Sequence, residues 1–414
     1  MNQMLREHFL NRVDVEGLVN RFGSPLYVYD ERTLRERCRE MVSLIPYPWF
    51  GVSCSIKANS NLHLLKIVRE EGMEADAMSP GEMFLLEKAG FKPSEIFYIS
   101  NNVSAEEMKY ALDRGILISV DSLSQLDMLG RINPGGRAAI RINAGTGAGH
   151  HEKVVTAGSR TKFGIQEDMI DEALSVAGSH GLKIAGINQH IGSLFLDEKP
   201  FIESVKALLS IARRFENLEF IDFGGGFGIP YRKYHGEKRL DLKALAGQLE
   251  TILLEFRNEY GSDIRFRVEP GRYPFAECGA ILGTVNAVKT CYGTKYIGTD
   301  IGFNVLMRPV LYDSYHEIVA FRNGRMLDCE GGEKVTVVGN ICESGDILAR
   351  ERLMPPLKEG DIIGVLDSGA YGYSMSSNYN QRLRPAEVLI TLNGDARLIR
   401  RRETLDDLLT GYSF

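Results

Sequence analysis

Several short stretches carry residues that can do chemistry. The first is Ser55-Ile56-Lys57-Ala58-Asn59-Ser60-Asn61, where a Lys ends an apolar run of strand character. Burying an ammonium is costly unless it is paired or neutralised. A desolvated Lys has a lowered pKa and forms Schiff bases with carbonyls, that of pyridoxal phosphate (PLP) included. Read by itself, Lys57 is more readily a surface residue just past a strand end. The second stretch is Gly224-Gly225-Gly226-Phe227-Gly228, joined by Glu269-Pro270-Gly271-Arg272. Glycines let backbone N–H groups approach a phosphate closely. The helix-opening GxGxxG spacing of a dinucleotide site is absent.

PLP enzymes set an acidic or basic group against the pyridine nitrogen. Glu269 in that place keeps the nitrogen protonated and the ring a full electron sink, which favours decarboxylation over racemisation. Its plainer reading is a salt bridge to Arg265 or Arg267. His190 is either a ring-stacking residue or a satisfied core histidine. In the second half, Met307–His316 offers Arg308 and Tyr312, Ile341–Asp346 sets Cys342 beside Glu343, and Asp367–Tyr371 supplies the Tyr371 phenol. A Cys near a developing carbanion can deliver a proton; elsewhere a Cys is more often a buried hydrophobe.

Something must position these groups. Eight apolar runs of strand length alternate with helical patterns: Phe50–Ile56, Met73–Ala77, Ile96–Ile99, Leu117–Val120, Ala138–Ile142, Ile184–Gln189, Leu218–Phe223 and Arg265–Val268. That rhythm predicts a parallel sheet closed into a (β/α)8 TIM-type barrel, with an open doubly wound sheet as the rival. Barrel chemistry gathers at the C-terminal strand ends, and each exit here is polar or glycine-rich. In order they hold Lys57, Asp76, Asn101 with Asn102, Asp121, Arg141 with Asn143, His190, Gly224–Gly226 and Glu269. The loops after strands seven and eight are the fold's common phosphate site, and here they are GGGFG and EPGR.

After about residue 277 the strand-like runs Ile281–Lys289, Lys295–Ile297, Glu317–Phe321, Glu333–Val338, Asp361–Leu366 and Ala386–Thr391, joined by turns, predict a C-terminal all-β domain of β-sandwich or Greek-key-like type. The early strand Pro25–Asp30 precedes the barrel and is expected to pair with this β domain. The expected domains are 33–277 for the barrel and 1–32 plus 278–414 for the β domain. The 414 residues carry a net charge of −6, which argues against a nucleic-acid binder. Six cysteines without a CxxC pair fit a reduced, cytoplasmic setting and no metal site. The N-terminus is charged throughout, without the apolar region of a signal peptide, and no run is long enough to span a bilayer. Adjacent His150 and His151 diverge in extended backbone and read as loop chemistry near the site mouth.

The runs SIKANSN, HIGS, DFGGGFG, EPGR, MRPVLYDSYH, CESGD and DSGAYGYSMSSNYNQRLRPAEVL resemble, in order, those of the diaminopimelate decarboxylases. These are PLP-dependent enzymes of the alanine-racemase-like fold type III. The resemblance spans about residues 25 to 390. It implies that Lys57 carries PLP in Schiff-base linkage, that His190 stacks on the ring and that Glu269 faces the pyridine nitrogen. Ser193, Gly226, Gly271, Arg272 and Tyr371 would surround the phosphate, with Gly225 and Asp76 completing the cofactor set. Arg272, Arg308, Tyr312 and Tyr371 would bind the substrate, its distal carboxylate above all, and Glu343 its distal amine. Cys342 would donate the proton from the other subunit of a homodimer with shared active sites.

The implied reaction is decarboxylation of meso-2,6-diaminopimelate to L-lysine and CO2, the last step of lysine biosynthesis. Open alternatives are a decarboxylase for ornithine, carboxynorspermidine or a carrier-bound glutamyl group, and an amino-acid racemase. Two departures bear on fine preference. Leu194 stands where many members have Gln, and the 145–161 loop differs from the commonest version.

Overall fold

The computed structural model describes residue 5 and residues 7–143, 145, 162–261 and 263–413. His150, His151 and all of the 145–161 loop but Gly145 lie outside the described residues. The chain divides into two compact units. One holds Arg35–Ile229 with Arg239–Pro274; the other holds residues up to Leu34, Pro230–Lys238 and the chain from Phe275 onward.

In the first unit eight strands pair in parallel, each with the next: Phe50–Ser55, Glu74–Ala77, Ile96–Ile99, Leu117–Val120, Arg137–Asn143, Lys183–Asn188, Phe220–Asp222 and Arg265–Val268. The eighth returns to the first through Phe266↔Phe50 and Val268↔Val52, so the sheet is a closed barrel and not an open one. Strands covered on both faces read as continuous apolar runs, and the third and fourth are buried almost throughout. Phe97, Ile99, Ala139 and Phe220 form one interior cluster. All come from odd-numbered strands, the layering expected of a filled barrel.

Helices cover the outside with one apolar face each. In Lys199–Ala212 the buried stripe includes Phe201, Val205, Leu208, Leu209 and Ala212. In Leu242–Tyr260 it is Leu245, Leu249, Leu253 and Phe256. Among the described residues no helix is long and apolar enough to cross a membrane.

The second unit is built on a mixed ten-stranded sheet. Its long strand Gly279–Cys291 serves two parts of that sheet. The first half pairs with Leu26–Asp30 and Ile362–Val365, the second with Thr294–Thr299. The early strand Leu26–Asp30 also runs parallel to Ala386–Ile390, in register Leu26↔Ala386. In this sheet three of the described strands have no counterpart among the expected runs: Arg325–Met326, Ile347–Met354 and Ala396–Arg400.

Candidate active site

Barrel strand exits place the first set of residues. Lys57 sits on a single helical turn, Ile56–Ala58, directly after the first strand. That exit is tied to the eighth by Ser55 N–H donating to Pro270 O at 3.2 Å. The Lys57 ammonium acts on Asp76, His190 and Glu269 alike. Asp76, buried at the end of the second strand, accepts from Ser55 Oγ at 2.7 Å. Burial raises its pKa and the Lys57 charge opposes that rise.

His190 lies two residues past the sixth strand. Gly225 N–H donates to its Nδ1 at 3.1 Å, which leaves the ring proton on Nε2. Burial, then the charges of Lys57 and Arg141, hold His190 well below the usual histidine range, so the ring is neutral. Arg141 itself is buried, with its guanidinium 4.3 Å from the centre of the Phe163 ring.

The glycine run closes against the neighbouring exits. A Cβ on Gly225 would lie 2.1 Å from Glu269 O, so only glycine lets these backbones meet. Gly226 has φ +107°, and a Cβ there would lie 2.8 Å from Gly192 O. Phe195 N–H donates to Gly226 O and Gly228 N–H to Phe195 O, each at 3.0 Å, joining the loops after strands six and seven. On the far side Arg272 Nη2 donates to Ser193 Oγ at 2.8 Å. Gly271 packs against Ser55 beside it.

Glu269 is fully enclosed, and the salt bridge weighed for it does not form: Arg265 and Arg267 approach Glu74 instead, at 3.9 and 3.5 Å. Glu269 Oε1 and Asp222 Oδ2 are buried without an ordinary donor. The two acids are buried as neighbours, and the charge of one disfavours ionisation of the other. Burial pushes Asp222 up to about 7, and burial together with the Asp222 and Asp76 charges pushes Glu269 well above the carboxylate range.

The second unit carries the remaining predicted residues. Arg308 opens the short helix Arg308–Tyr312 and is fully buried; Tyr312 ends it half-buried. Arg308 Nη1 donates to His316 Nε2 at 2.7 Å, and its guanidinium lies 4.7 Å from the centre of the Tyr231 ring. Cys342 and Glu343 stand together on an exposed loop, so Cys342 is not a buried hydrophobe. Cys342 N–H donates to Asn380 Oδ1 at 2.8 Å and Tyr379 OH to Glu343 Oε1 at 2.5 Å. Tyr371 is half-buried with φ +57°.

Ser55, Asp222, His316, Tyr379 and Asn380 touch the predicted set yet received no role from the sequence. Asp222 opens DFGGGFG and Tyr379-Asn380 lie inside the long C-terminal run, so the motifs held the residues but not their contacts.

A cradle that a Cβ would fill, an orphaned buried acid and an amine at neighbouring exits fit PLP. The pyridoxal-binding domain of the pyridoxal-dependent decarboxylases matches residues 31–276, and that is the class this barrel and site define. The solved structures most like the chain include a diaminopimelate decarboxylase at 34% identity, TM-score 0.87, covering 95% of this chain and 94% of that one. Another is the Helicobacter pylori diaminopimelate decarboxylase complexed with L-lysine, at 31% identity and TM-score 0.86, covering 95% and 98%. The diaminopimelate decarboxylase of Methanothermobacter thermautotrophicus is 44% identical over 97% of this chain and 94% of its own length. That of Escherichia coli is 35% identical over 94% and 93%. The chain belongs to the diaminopimelate decarboxylase family.

Proposed function

We propose that the protein removes one carboxylate from meso-2,6-diaminopimelate, giving L-lysine and CO2 in lysine biosynthesis. The observation that carries the substrate reading is Arg308, a buried guanidinium oriented by the acceptor nitrogen of His316. A guanidinium offers the two-pronged fit a distal carboxylate needs. A plain diamine precursor such as ornithine calls only for an acid there.

Lys57 would hold PLP through its amine, and the bound cofactor would supply the electron sink. Gly225, Gly226, Ser193, Gly271, Arg272 and Tyr371 hold its phosphate. Glu269, with Asp222, holds a proton at the place of the pyridine nitrogen, and Asp76 lies beside Lys57. Neutral His190 offers its ring face without placing a second cation beside the site. Arg272, Arg308, Tyr312 and Tyr371 take the substrate carboxylate, Glu343 the distal ammonium, and the Cys342 thiol returns a proton to the reacting carbon.

We assign residues 33–277 to cofactor binding and 1–32 with 278–414 to the β domain. The working form is a cytoplasmic homodimer in which Cys342 and Glu343 serve the partner's site. The exposure of that loop supports this reading, as do six free thiols. Incubation of the purified protein with PLP and meso-diaminopimelate is expected to release CO2 and lysine in equal amounts. Release of CO2 from another amino acid without lysine from this one overturns the substrate.

A further inference from the structure

The segment Tyr379–Arg382 grips the Cys342–Glu343 loop at three successive points. Arg382 Nη2 donates to Asn340 O at 3.0 Å, Asn380 Oδ1 accepts from Cys342 N–H, and Tyr379 OH donates to Glu343. The loop base is fixed separately, by Asp346 accepting from the N–H groups of Ile341 and Phe303 at 2.7 Å each. The Tyr379 ring in turn stacks on Phe303, with centroids 5.6 Å apart.

The gripping segment adopts a backbone that only its surroundings can enforce. Asn380 and Gln381 are both left-handed, with φ +56° and +54°. Asn tolerates that region and Gln does so poorly. Two such residues in succession persist where contacts over-determine them, and here the contacts lead to the thiol and the carboxylate. Its bond to Glu343 holds the Tyr379 phenol above its ordinary pKa, so Tyr379 remains the donor.

We propose that Tyr379, Asn380 and Arg382 are positioning residues: a clamp that aims the Cys342 thiol and leaves one Glu343 oxygen for the substrate's distal ammonium. The roles of Cys342 and Glu343 rest on the function proposed above; the clamp itself rests on the geometry of the loop. Asn380 sets the height of the thiol through the Cys342 backbone. Tyr379 orients Glu343 by occupying Oε1. The two contacts therefore act on different kinetic constants.

The test uses the PLP-loaded, full-length protein. Asn380→Gly keeps the left-handed backbone and removes the acceptor. It is expected to lower kcat about tenfold, the worth of one hydrogen bond in a positioned group, with KM little changed. Asn380→Asp keeps an acceptor oxygen and is expected to recover most of the loss. Tyr379→Phe is expected to raise KM for diaminopimelate several-fold with kcat nearly intact.

A second readout needs no turnover. Cys342, Cys291 and Cys329 are all exposed, so iodoacetamide labelling followed by mass spectrometry measures Cys342 against two internal references. Asn380→Gly is expected to change the Cys342 rate several-fold while the other two hold. Unchanged labelling and unchanged kinetics in both variants overturn the clamp. Altered Cys342 labelling in a protein that makes no lysine supports the clamp and overturns the substrate reading instead.

Discussion

Arg308 and His316 form a pair whose direction is fixed. His316 Nδ1 lies 2.9 Å from Leu366 O, a carbonyl that can only accept, so the ring proton sits on Nδ1. Nε2 is then an acceptor, and Arg308 Nη1 donates to it at 2.7 Å. Both side chains are buried, so neither bond is exchanged for water. The pairing fixes a flexible side chain, and a neutral imidazole does not cancel its charge.

His316→Leu removes the acceptor and frees that guanidinium. A hydrogen bond to a charged group is worth about 1.5–3 kcal/mol, so KM for diaminopimelate is expected to rise at least about tenfold. The chemical step uses other groups, and kcat is expected to stay within about twofold. His316→Gln, whose amide oxygen accepts, is expected to recover part of the affinity. Steady-state kinetics of the three proteins check this; an unchanged KM removes Arg308 from the substrate site.

The burial of Asp222 beside Glu269 makes stability depend on pH in the cofactor-free protein. Burial pushes the Asp222 carboxyl from the ordinary 3.8 up to about 7 in the folded protein. A raised folded pKa contributes stability that is complete below the unfolded value and is lost as pH rises through the folded one. The urea midpoint of cofactor-free protein is therefore expected to fall between pH 5.5 and 8. Asp222→Asn cannot ionise and is expected to flatten that fall. Equal midpoints for the wild type at the two pH values refute the raised pKa of Asp222.

Two glycines give opposite expectations. The methyl of Gly225→Ala would meet Glu269 O at 2.1 Å, a backbone atom that cannot swing away. Overpacking of this kind costs about 1–3 kcal/mol, and the glycine-run backbone can relieve it only by moving away from the eighth strand exit. Lower stability and poor PLP retention are expected together. Gly247, inside the helix Leu242–Tyr260, has nothing within 4 Å of its Cβ position. Gly247→Ala is expected to stabilise by about 0.5–1 kcal/mol with full PLP content. Denaturant midpoints and absorbance of bound cofactor measure both.

The barrel was legible because its strands are buried on both faces and its turns are polar, so each strand announces itself as an apolar run. Lys57 and Glu269 were legible for a related reason: a charge at the end of such a run needs an explanation. Ile347–Met354 was not, because its sequence ILARERLM sets a block of three charges between apolar residues and has no period-two face. It is a strand because Glu333–Val338 pairs with it. Ala396–Arg400 is held in the same way, by Ala386–Ile390. The supporting contacts of the site were hidden for a different reason. His316 binds its motif-mate Arg308 through a tautomer that Leu366 sets, and Asn380 reaches Cys342 from a distant segment. Neither spacing nor composition encodes such pairings.

Lys233 tests how much a buried charge holds up. Its Nζ lies 2.7 Å from both Glu277 and Asp367, and all three side chains are at most 10% exposed. The two carboxylates hold the Lys233 ammonium above its ordinary pKa against the opposing cost of burial. Asp367, itself at φ +54°, starts the turn that ends at Tyr371. Lys233→Met keeps the length of the side chain and takes away the ammonium that both acids bind. Removing one partner of a buried ion pair costs about 3–5 kcal/mol, and that loss is expected in the denaturant midpoint. Protonating the stranded acids offsets part of it, so the deficit is expected to be larger at pH 8 than at pH 5.5. Lys233→Met combined with Asp367→Asn removes one stranded charge and is expected to regain stability over the single variant. A single-variant loss below about 1 kcal/mol, the range of screened surface pairs, would show that water already reaches the cluster.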